Sequence, residues 1–155
     1  MHDDLQRARD IYGDVPVIAV NGASREMKAV ALVSQHPERF MENGWIRNQQ
    51  RLFGDGFSVN APLPAQDMPW VDRWWDVTLG GGSAWVARKI ASLMGYGLVV
   101  LCGAPLVPGN YTGHRPGQLM SRENIVADLR AGIERDTAWH AGCVSMSGWT
   151  RELLC

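Results

Sequence analysis

The apolar run Val15 to Val20, sequence VPVIAV, is the feature that most constrains how this chain folds. It is continuous and β-branched, as expected of a strand covered on both faces, and Leu98 to Cys102 repeats the pattern. Apolar residues recur at helical spacing over 84–94 and again from Ser121. Strands that alternate with helices form parallel sheets with right-handed crossovers. We therefore predict an α/β fold, a single Rossmann-like three-layer sandwich with a mainly parallel sheet over residues 1–155.

Turn and cap residues place the other elements. Residues 25–34 suit either a helix or a buried strand, and we favour a brief helical turn followed by a strand at Ala29 to Ser34. Ser83 is expected to be the N-cap of a helix from Ala84 to Met94, with Gly95 as its C′ residue. The further elements expected, in chain order, are a helix capped by Asp3 and Asp4, a helix from Pro37 to about Leu52, a third strand within 54–62, a fourth strand or edge segment within 72–79, a last strand at Val144 to Met146 and a short helix near Ser147.

Length, charge and cysteine content bound the class of protein. At 155 residues the chain is long enough for one domain with a core. Its formal net charge of -1 gives no global field for a nucleic-acid backbone or an anionic membrane, although a local basic patch stays open. The 3 cysteines form no C-x-x-C pair, which favours a reducing compartment. Because neither a signal peptide nor a membrane span is recognisable, we expect a cytoplasmic protein without a membrane partner; its 7 tryptophans are compatible with a homo-oligomer.

Polar residues are expected to meet at one edge of the predicted sheet. Open parallel sheets bind ligands outside the carboxyl ends of their strands. Residues that follow the predicted strands therefore converge there, although they are scattered in sequence. The predicted contacts to a bound cofactor are Asn21, Gly22, Ser24, Gly80, Gly81, Gly82, Ser83 and Ser145, and the predicted catalytic residues are His36 and Asp76.

The run Gly80 to Ser83 admits two interpretations. Several backbone N–H groups beside a helix N-terminus favour an anion such as a phosphate. The run matches no standard nucleotide motif, because Trp85 occupies the last position of G-x-G-x-x-G and no G-K-[ST] is present. A phosphate contact and a purely structural turn therefore both stay open.

The two predicted catalytic residues also have alternatives. His36 suits general acid or base work or a hydrogen bond to a sugar or phosphate, or it caps the helix that begins at Pro37. Asp76 suits a ribose contact, a metal contact or activation of a nucleophile, or it pairs with Arg73 or Arg88 on the surface. No His or Cys spacing is typical of a metal site, so we predict none. Tyr111 and His114 lie in a long Gly/Pro-rich loop that suits either a lid or an ordinary solvated loop.

Four segments carry a family resemblance: VIAVNGAS, VSQHPERF, GGGSAWVARKIASLMGYGLVVLCGAPL and SMSGWTRELL. In this order, over most of the chain, they resemble a family of small proteins encoded by tailed phages and prophages and labelled norphogenetic or hypothetical. The strand followed by Asn-Gly-Ala and the glycine-rich helix start are more distantly similar to archaeal 6-hydroxymethylpterin diphosphokinase-like and bacterial sialyltransferase-like Rossmann domains. The distant likeness covers only the Rossmann core.

The distant resemblance implies a nucleotide or nucleotide-sugar cofactor over the glycine turn and transfer of a glycosyl or diphosphate group. Matched residue by residue, the nucleotide contacts would be Asn21, Gly22, Gly81, Gly82 and Ser83. His36, in the His-Pro-Glu of the phage pattern, would lie at the open site. Many distant relatives have an acidic residue after the strand that here ends in LCGAPL, whereas this chain has Ala104 and Pro105. That departure disfavours metal-assisted phosphoryl transfer.

Three functional hypotheses result. The first is a phage-encoded transferase in the bacterial host cytoplasm that takes a nucleotide or nucleotide-sugar as its small-molecule partner. The second is a non-catalytic nucleotide-binding or infection accessory protein. The third is a virion morphogenesis protein, which the residues themselves do not support. Binding to nucleic acid is not indicated under any of the three.

Overall fold

The chain forms both parallel strands and helices, as the apolar runs predict. A computed structural model describes residues 2–63, 68–107 and 123–155. One compact unit is Pro16–Ala91, and the other combines Met1–Val15 with Ser92–Cys155. Both units contain helices and parallel strands, so the predicted α/β class is confirmed. That residues 1–155 form one domain stays a prediction.

The Pro16–Ala91 unit is built on a four-stranded sheet in which every pair of neighbours is parallel. Its elements are β1 (Ile18–Val20), a 3-10 helix (Asn21–Arg25), β2 (Ala31–Val33), α2 (Glu38–Glu42), α3 (Trp45–Phe53), β3 (Ser58–Pro62), β4 (Arg73–Trp75) and α4 (Gly82–Leu93), of which α4 runs on past Ala91. The strands lie side by side in the order β1-β2-β3-β4. Within these four strands the order never reverses, so the crevice that a reversal creates in doubly wound sheets is not formed among them.

A small apolar core holds this sheet to its helices. Leu32 and Phe40 are fully buried, and the Phe40 and Trp45 rings meet edge to face with centroids 5.7 Å apart. The Gln49 amide, oriented by its hydrogen-bonding partners, donates to the Ser24 carbonyl at 2.8 Å and accepts from the Ala29 N–H at 2.9 Å. Gln49 therefore ties α3 to the short connection between β1 and β2.

Three predicted helix boundaries are wrong. Asp3 and Asp4 do not cap the first helix, because they lie in the first turn of His2–Tyr12. The helix expected from Pro37 to about Leu52 is two helices, because Gly44 adopts a left-handed conformation (φ 64°) between α2 and α3. The helix expected to begin after Ser83 begins at Gly82, so Ser83 lies in its first turn and is not its N-cap. Gly95 follows the end of α4 with φ 97°, as predicted for a C′ glycine.

The second unit is built on a two-stranded parallel sheet. Its elements are α1 (His2–Tyr12), β5 (Val99–Leu101), α5 (Glu123–Arg135), a 3-10 helix (Thr137–Trp139), β6 (Cys143–Ser145) and α6 (Gly148–Leu154). Ala8 of α1 and Ile133 of α5 are buried in this unit. No helix among the described residues combines the length and apolarity that a bilayer crossing requires.

Candidate functional site

The glycine run after β4 is the most constrained backbone segment of the Pro16–Ala91 unit. Gly80, Gly81 and Gly82 have φ values of 141°, 67° and 79°. Side chains with a Cβ rarely adopt such angles, which explains why three glycines stand here in succession. Gly81 is buried, and none of the three backbone N–H groups donates to an acceptor among the described residues. Buried backbone N–H groups in proteins are almost always bonded, so this loop has donors to offer to a ligand.

The start of α4 adds positive potential to the same loop. The helix has 12 residues, and the first N–H groups of a helix have no partner within it. The aligned peptide dipoles place about half a positive charge at such an end. Backbone donors and dipole together favour an anion at this position.

A buried lysine is hydrogen-bonded to the segment that precedes the glycines. Lys89 of α4 is fully buried, and its Nζ donates to both the carbonyl oxygen and the Oγ1 of Thr78 at 2.9 Å each. Thr78 lies two residues before Gly80, so these bonds tie the loop to the helix that it enters. Because the tether is charged, it adds positive charge beside the loop.

A second polar group lies at the carboxyl ends of β1 and β2. Ser34, which is fully buried, donates through Oγ to Oδ1 of Asn21 at 2.7 Å, and the His36 backbone N–H donates to the same Ser34 Oγ at 3.0 Å. Asn21 has φ 51°, a left-handed angle that asparagine tolerates better than most residues. Ser34 thus links the turn after β1 to the turn after β2.

Both predicted catalytic side chains are open to solvent. The His36 side chain is 55% exposed and its Nδ1 lies 3.5 Å from Oε1 of Glu38. Asp76, directly after β4, is exposed and forms no ion pair with Arg73 or Arg88, the two partners considered for it. The Arg73 guanidinium instead lies 3.9 Å from the centroid of the Trp75 ring. His36 and Asp76 are therefore accessible to a ligand.

The four remaining predicted contacts differ in what they can offer. Ser24 is buried and its Oγ donates to the Asn21 carbonyl at 3.0 Å, so a ligand would have to displace that bond. Gly22 has an ordinary φ, and a Cβ there would meet open space. Ser83 lies in the first turn of α4. Ser145 belongs to the other unit, where its Oγ lies 2.8 Å from Oγ1 of Thr150.

The sheet brings most, but not all, of the predicted residues to one edge. Asn21, His36, Asp76 and the glycine run all follow carboxyl ends of parallel strands in the four-stranded sheet. Strand β3 lies between β2, which leads to His36, and β4, which leads to the glycines. At typical strand spacing the carboxyl ends of β2 and β4 are therefore about 10 Å apart. Tyr111 and His114 lie outside the described residues. Sequence reasoning missed Ser34, Thr78 and Lys89; a lysine on the apolar face of a helix was the available signal for the last.

In the unit that combines Met1–Val15 with Ser92–Cys155, groups that follow the strands donate hydrogen bonds to a carboxylate of the same unit. After β5, the Gly103 backbone N–H donates to Oδ2 of Asp4 at 2.9 Å, and Ser147 after β6 donates its hydroxyl to the same oxygen at 2.6 Å. Burial, followed by the nearby Asp4 charge, raises the pKa of the Cys102 thiol to about 11. A carboxylate of the protein itself therefore occupies this edge.

The Pro16–Ala91 edge offers backbone N–H donors, an imidazole and a carboxylate. Among the described residues no three His, Cys, Asp or Glu side chains come together to hold a metal ion. No protein-family model, curated protein or solved structure matches the chain. Function is therefore inferred from the residues at this edge.

Proposed function

We propose that the Pro16–Ala91 unit binds the phosphates of a nucleotide or nucleotide-sugar on the backbone N–H groups of Gly80, Gly81 and Gly82. The observation that carries this proposal is that three successive left-handed glycines, one of them buried, lie at the start of a helix, and that their N–H groups have no acceptor among the described residues. Phosphate oxygens accept several such bonds at once. A Rossmann-like organisation, with the ligand at the carboxyl edge of the sheet, is part of the same proposal.

Lys89 supports the phosphate assignment. Its bonds to Thr78 hold the loop at a fixed distance from α4, so the glycine donors are ordered before a ligand arrives. A full positive charge on the helix adds to the half charge of the dipole. Both contributions favour a ligand with more than one negative charge over a neutral one.

The edge also supports a transferase-like reaction, as expected for a phage-encoded enzyme that transfers a glycosyl or diphosphate group. His36 would act as general acid or base, with Glu38 beside its Nδ1 to orient the ring. Asp76 would contact the sugar or the attacking group. Asn21, held by Ser34, would contact the nucleotide on the side of β1.

Titration calorimetry on the whole chain tests the binding step. The ligands are inorganic pyrophosphate, ATP, cyclic nucleotides and CMP-, UDP- and GDP-linked sugars. A ligand at 100 times its Kd should stabilise the folded state by about 2.7 kcal/mol, which a thermal shift also detects. Absence of any response in a folded sample would overturn the proposal.

Matched glycine variants locate the site. Gly82→Ala places a Cβ at φ 79° and should weaken pyrophosphate binding by about tenfold, because a strain of roughly 1–2 kcal/mol disturbs the donors. Gly56→Ala is the control, since Gly56 has no positive φ and a Cβ there would meet open space. Equal affinity in the two variants would place the ligand elsewhere.

Turnover separates the transferase from the non-catalytic binder of the second hypothesis. His36→Ala should keep nucleotide affinity and lose group transfer by about 100-fold, the usual contribution of general acid–base catalysis. Unchanged turnover in His36→Ala would remove the acid–base role. A donor that binds but is recovered intact with every acceptor would favour the binder.

A further inference from the structure

A cavity of about 280 Å³ opens at the opposite edge of the four-stranded sheet, beside the amino ends of β3 and β4. Its walls come from α3, from the residues leading into β3, from β3 itself and from the connection that leads into β4. The lining residues are Ile46, Gln50, Asp55, Phe57, Val59, Trp70 and Asp72. The volume lies just below the range of drug-sized ligand sites, so it suits a small molecule.

Aromatic side chains form part of the wall. The Trp70 indole is held by its Nε1–H, which donates to the Pro37 carbonyl at 3.2 Å. Phe57 is half-buried, and its backbone N–H donates to the Asp55 carbonyl at 2.9 Å. The face of an aromatic ring, tryptophan above all, attracts organic cations through its quadrupole.

Two carboxylates line the same cavity. Asp72 is fixed on the backbone of β3: its Oδ2 accepts from the Val59 N–H at 2.7 Å, and its own N–H donates to the Val59 carbonyl at 2.9 Å. Asp55 is exposed in the turn before β3. Among the residues that the structure describes, no Lys, Arg or His nitrogen lies within 4.0 Å of either carboxylate. The cavity thus holds negative charge that described side chains do not neutralise.

We propose that this cavity binds a small organic cation whose ammonium or guanidinium group lies between Asp55 and Asp72 while its carbon atoms contact Trp70 and Phe57. Charge alone would also suit a metal ion, but the aromatic side chains that form part of the wall supply no ligand for one, and no three His, Cys, Asp or Glu side chains come together among the described residues. A neutral apolar molecule would leave both carboxylates without a positively charged partner. The cation matches both parts of the lining.

Binding is tested by NMR titration of the whole chain with choline and with agmatine. The neutral isostere of choline, 3,3-dimethylbutan-1-ol, is the matched probe for charge. We expect one or both cations to shift the Trp70 indole N–H resonance and to bind at least about tenfold more tightly than the isostere. Binding of the isostere as tightly as choline, or no saturable shift with either cation, would overturn the proposal.

Variants assign the binding to the cavity. Asp55→Asn should weaken cation binding by about tenfold without unfolding the chain, because the side chain is exposed. Trp70→Leu should weaken it by a similar factor. Asp76→Asn, which changes an exposed carboxylate at the other sheet edge, is the control and should bind normally. Unchanged affinity in Asp55→Asn would refute the site, and none of these results depends on whether a nucleotide binds at Gly80–Gly82.

Discussion

The two compact units differ in how the hydrogen-bond donors that follow their strands are paired. After β5, the Gly103 N–H and the Ser147 hydroxyl converge on the carboxylate of Asp4. After β4, the N–H groups of Gly80–Gly82 have no acceptor among the described residues. In one unit a carboxylate of the chain accepts from these donors, and in the other no acceptor for donors of the same kind lies among the described residues.

This difference supports the proposed role of the glycine run in anion binding. If left-handed glycines after a strand were only a device for turning the chain, their donors would be expected to find internal acceptors, as the Gly103 N–H does. Asp4 shows that a carboxylate satisfies such donors well when the sequence supplies one. The absence of an equivalent among the described neighbours of Gly80–Gly82 therefore favours an anion from solution, and substitutions that remove or add a carboxylate test this comparison.

The largest effect is expected from removing the internal anion. Asp4→Ala leaves the Gly103 N–H and the Ser147 hydroxyl without their acceptor, and we expect a loss of about 3 kcal/mol in the free energy of unfolding. Urea denaturation measures this loss. Asp3→Ala is the control, because Asp3 is exposed in the same helical turn and should cost less than about 0.5 kcal/mol. Similar losses in both variants would mean that the buried contacts of Asp4 contribute little.

The Asp4 charge should also be visible in the chemistry of Cys102. With its pKa raised from 9.0 to about 11, mainly by burial and then by Asp4, Cys102 carries about 100-fold less thiolate at pH 8 than an ordinary thiol. Its alkylation by iodoacetamide, followed by mass spectrometry, should be slower by a similar factor. Because the folded-state pKa is the higher one, this group's contribution to stability is lost as pH rises from about 9 to about 11.

Two internal controls accompany the alkylation rate. The exposed Cys155 should react readily in the same sample. In urea, Cys102 should react as fast as an ordinary thiol, because burial and the Asp4 charge are both lost. A folded-state rate for Cys102 equal to that in urea would contradict the raised pKa of the thiol.

Element order and type were predictable because they depend on local pattern. The strands at Ile18–Val20, Ala31–Val33 and Val99–Leu101 lie within the predicted apolar runs, although each is shorter than its run. Val15 and Pro16 lie outside β1 and are exposed, so an apolar residue at a strand entrance is not by itself part of the strand. The break at Gly44 was also local, since an Asn-Gly pair inside a helical pattern signals it.

Contacts between distant residues were not predictable. Ser147 and Asp4 are 143 positions apart, so no local sequence pattern predicts their hydrogen bond. Ser24 and Ser145 were expected at the binding edge because each lies near a strand end, but both are buried and bonded within the fold. Their predicted ligand contacts stay predictions. The strand order β1-β2-β3-β4 likewise depends on pairing choices that apolar periodicity leaves open.

Adding a carboxylate beside Gly80–Gly82 is the converse of removing the Asp4 carboxylate from the other unit. Ser83→Asp places a negative charge in the first turn of α4, where it should stabilise the helix by about 0.3–1 kcal/mol. The same charge should repel a phosphate and weaken pyrophosphate binding by about tenfold. Ser83→Asn is the uncharged control of the same shape. Higher thermal stability with unchanged pyrophosphate affinity would show that the anion does not bind at this end of the helix.

The smallest effect on pyrophosphate affinity is expected from weakening the Lys89–Thr78 contact without changing the glycines. Thr78→Val removes one of the two atoms of Thr78 that accept from Lys89 and leaves the other, the backbone carbonyl, in place; we expect about 1 kcal/mol less stability in urea denaturation. Thr78→Ser keeps the hydroxyl and should lose much less. If the tether pre-orders the glycine donors, Thr78→Val should also weaken pyrophosphate binding by several-fold, because ordering the loop must then be done by the ligand. An affinity equal to that of Thr78→Ser would mean that the glycines hold their conformation unaided, and Lys89 would then act on the ligand only through its charge.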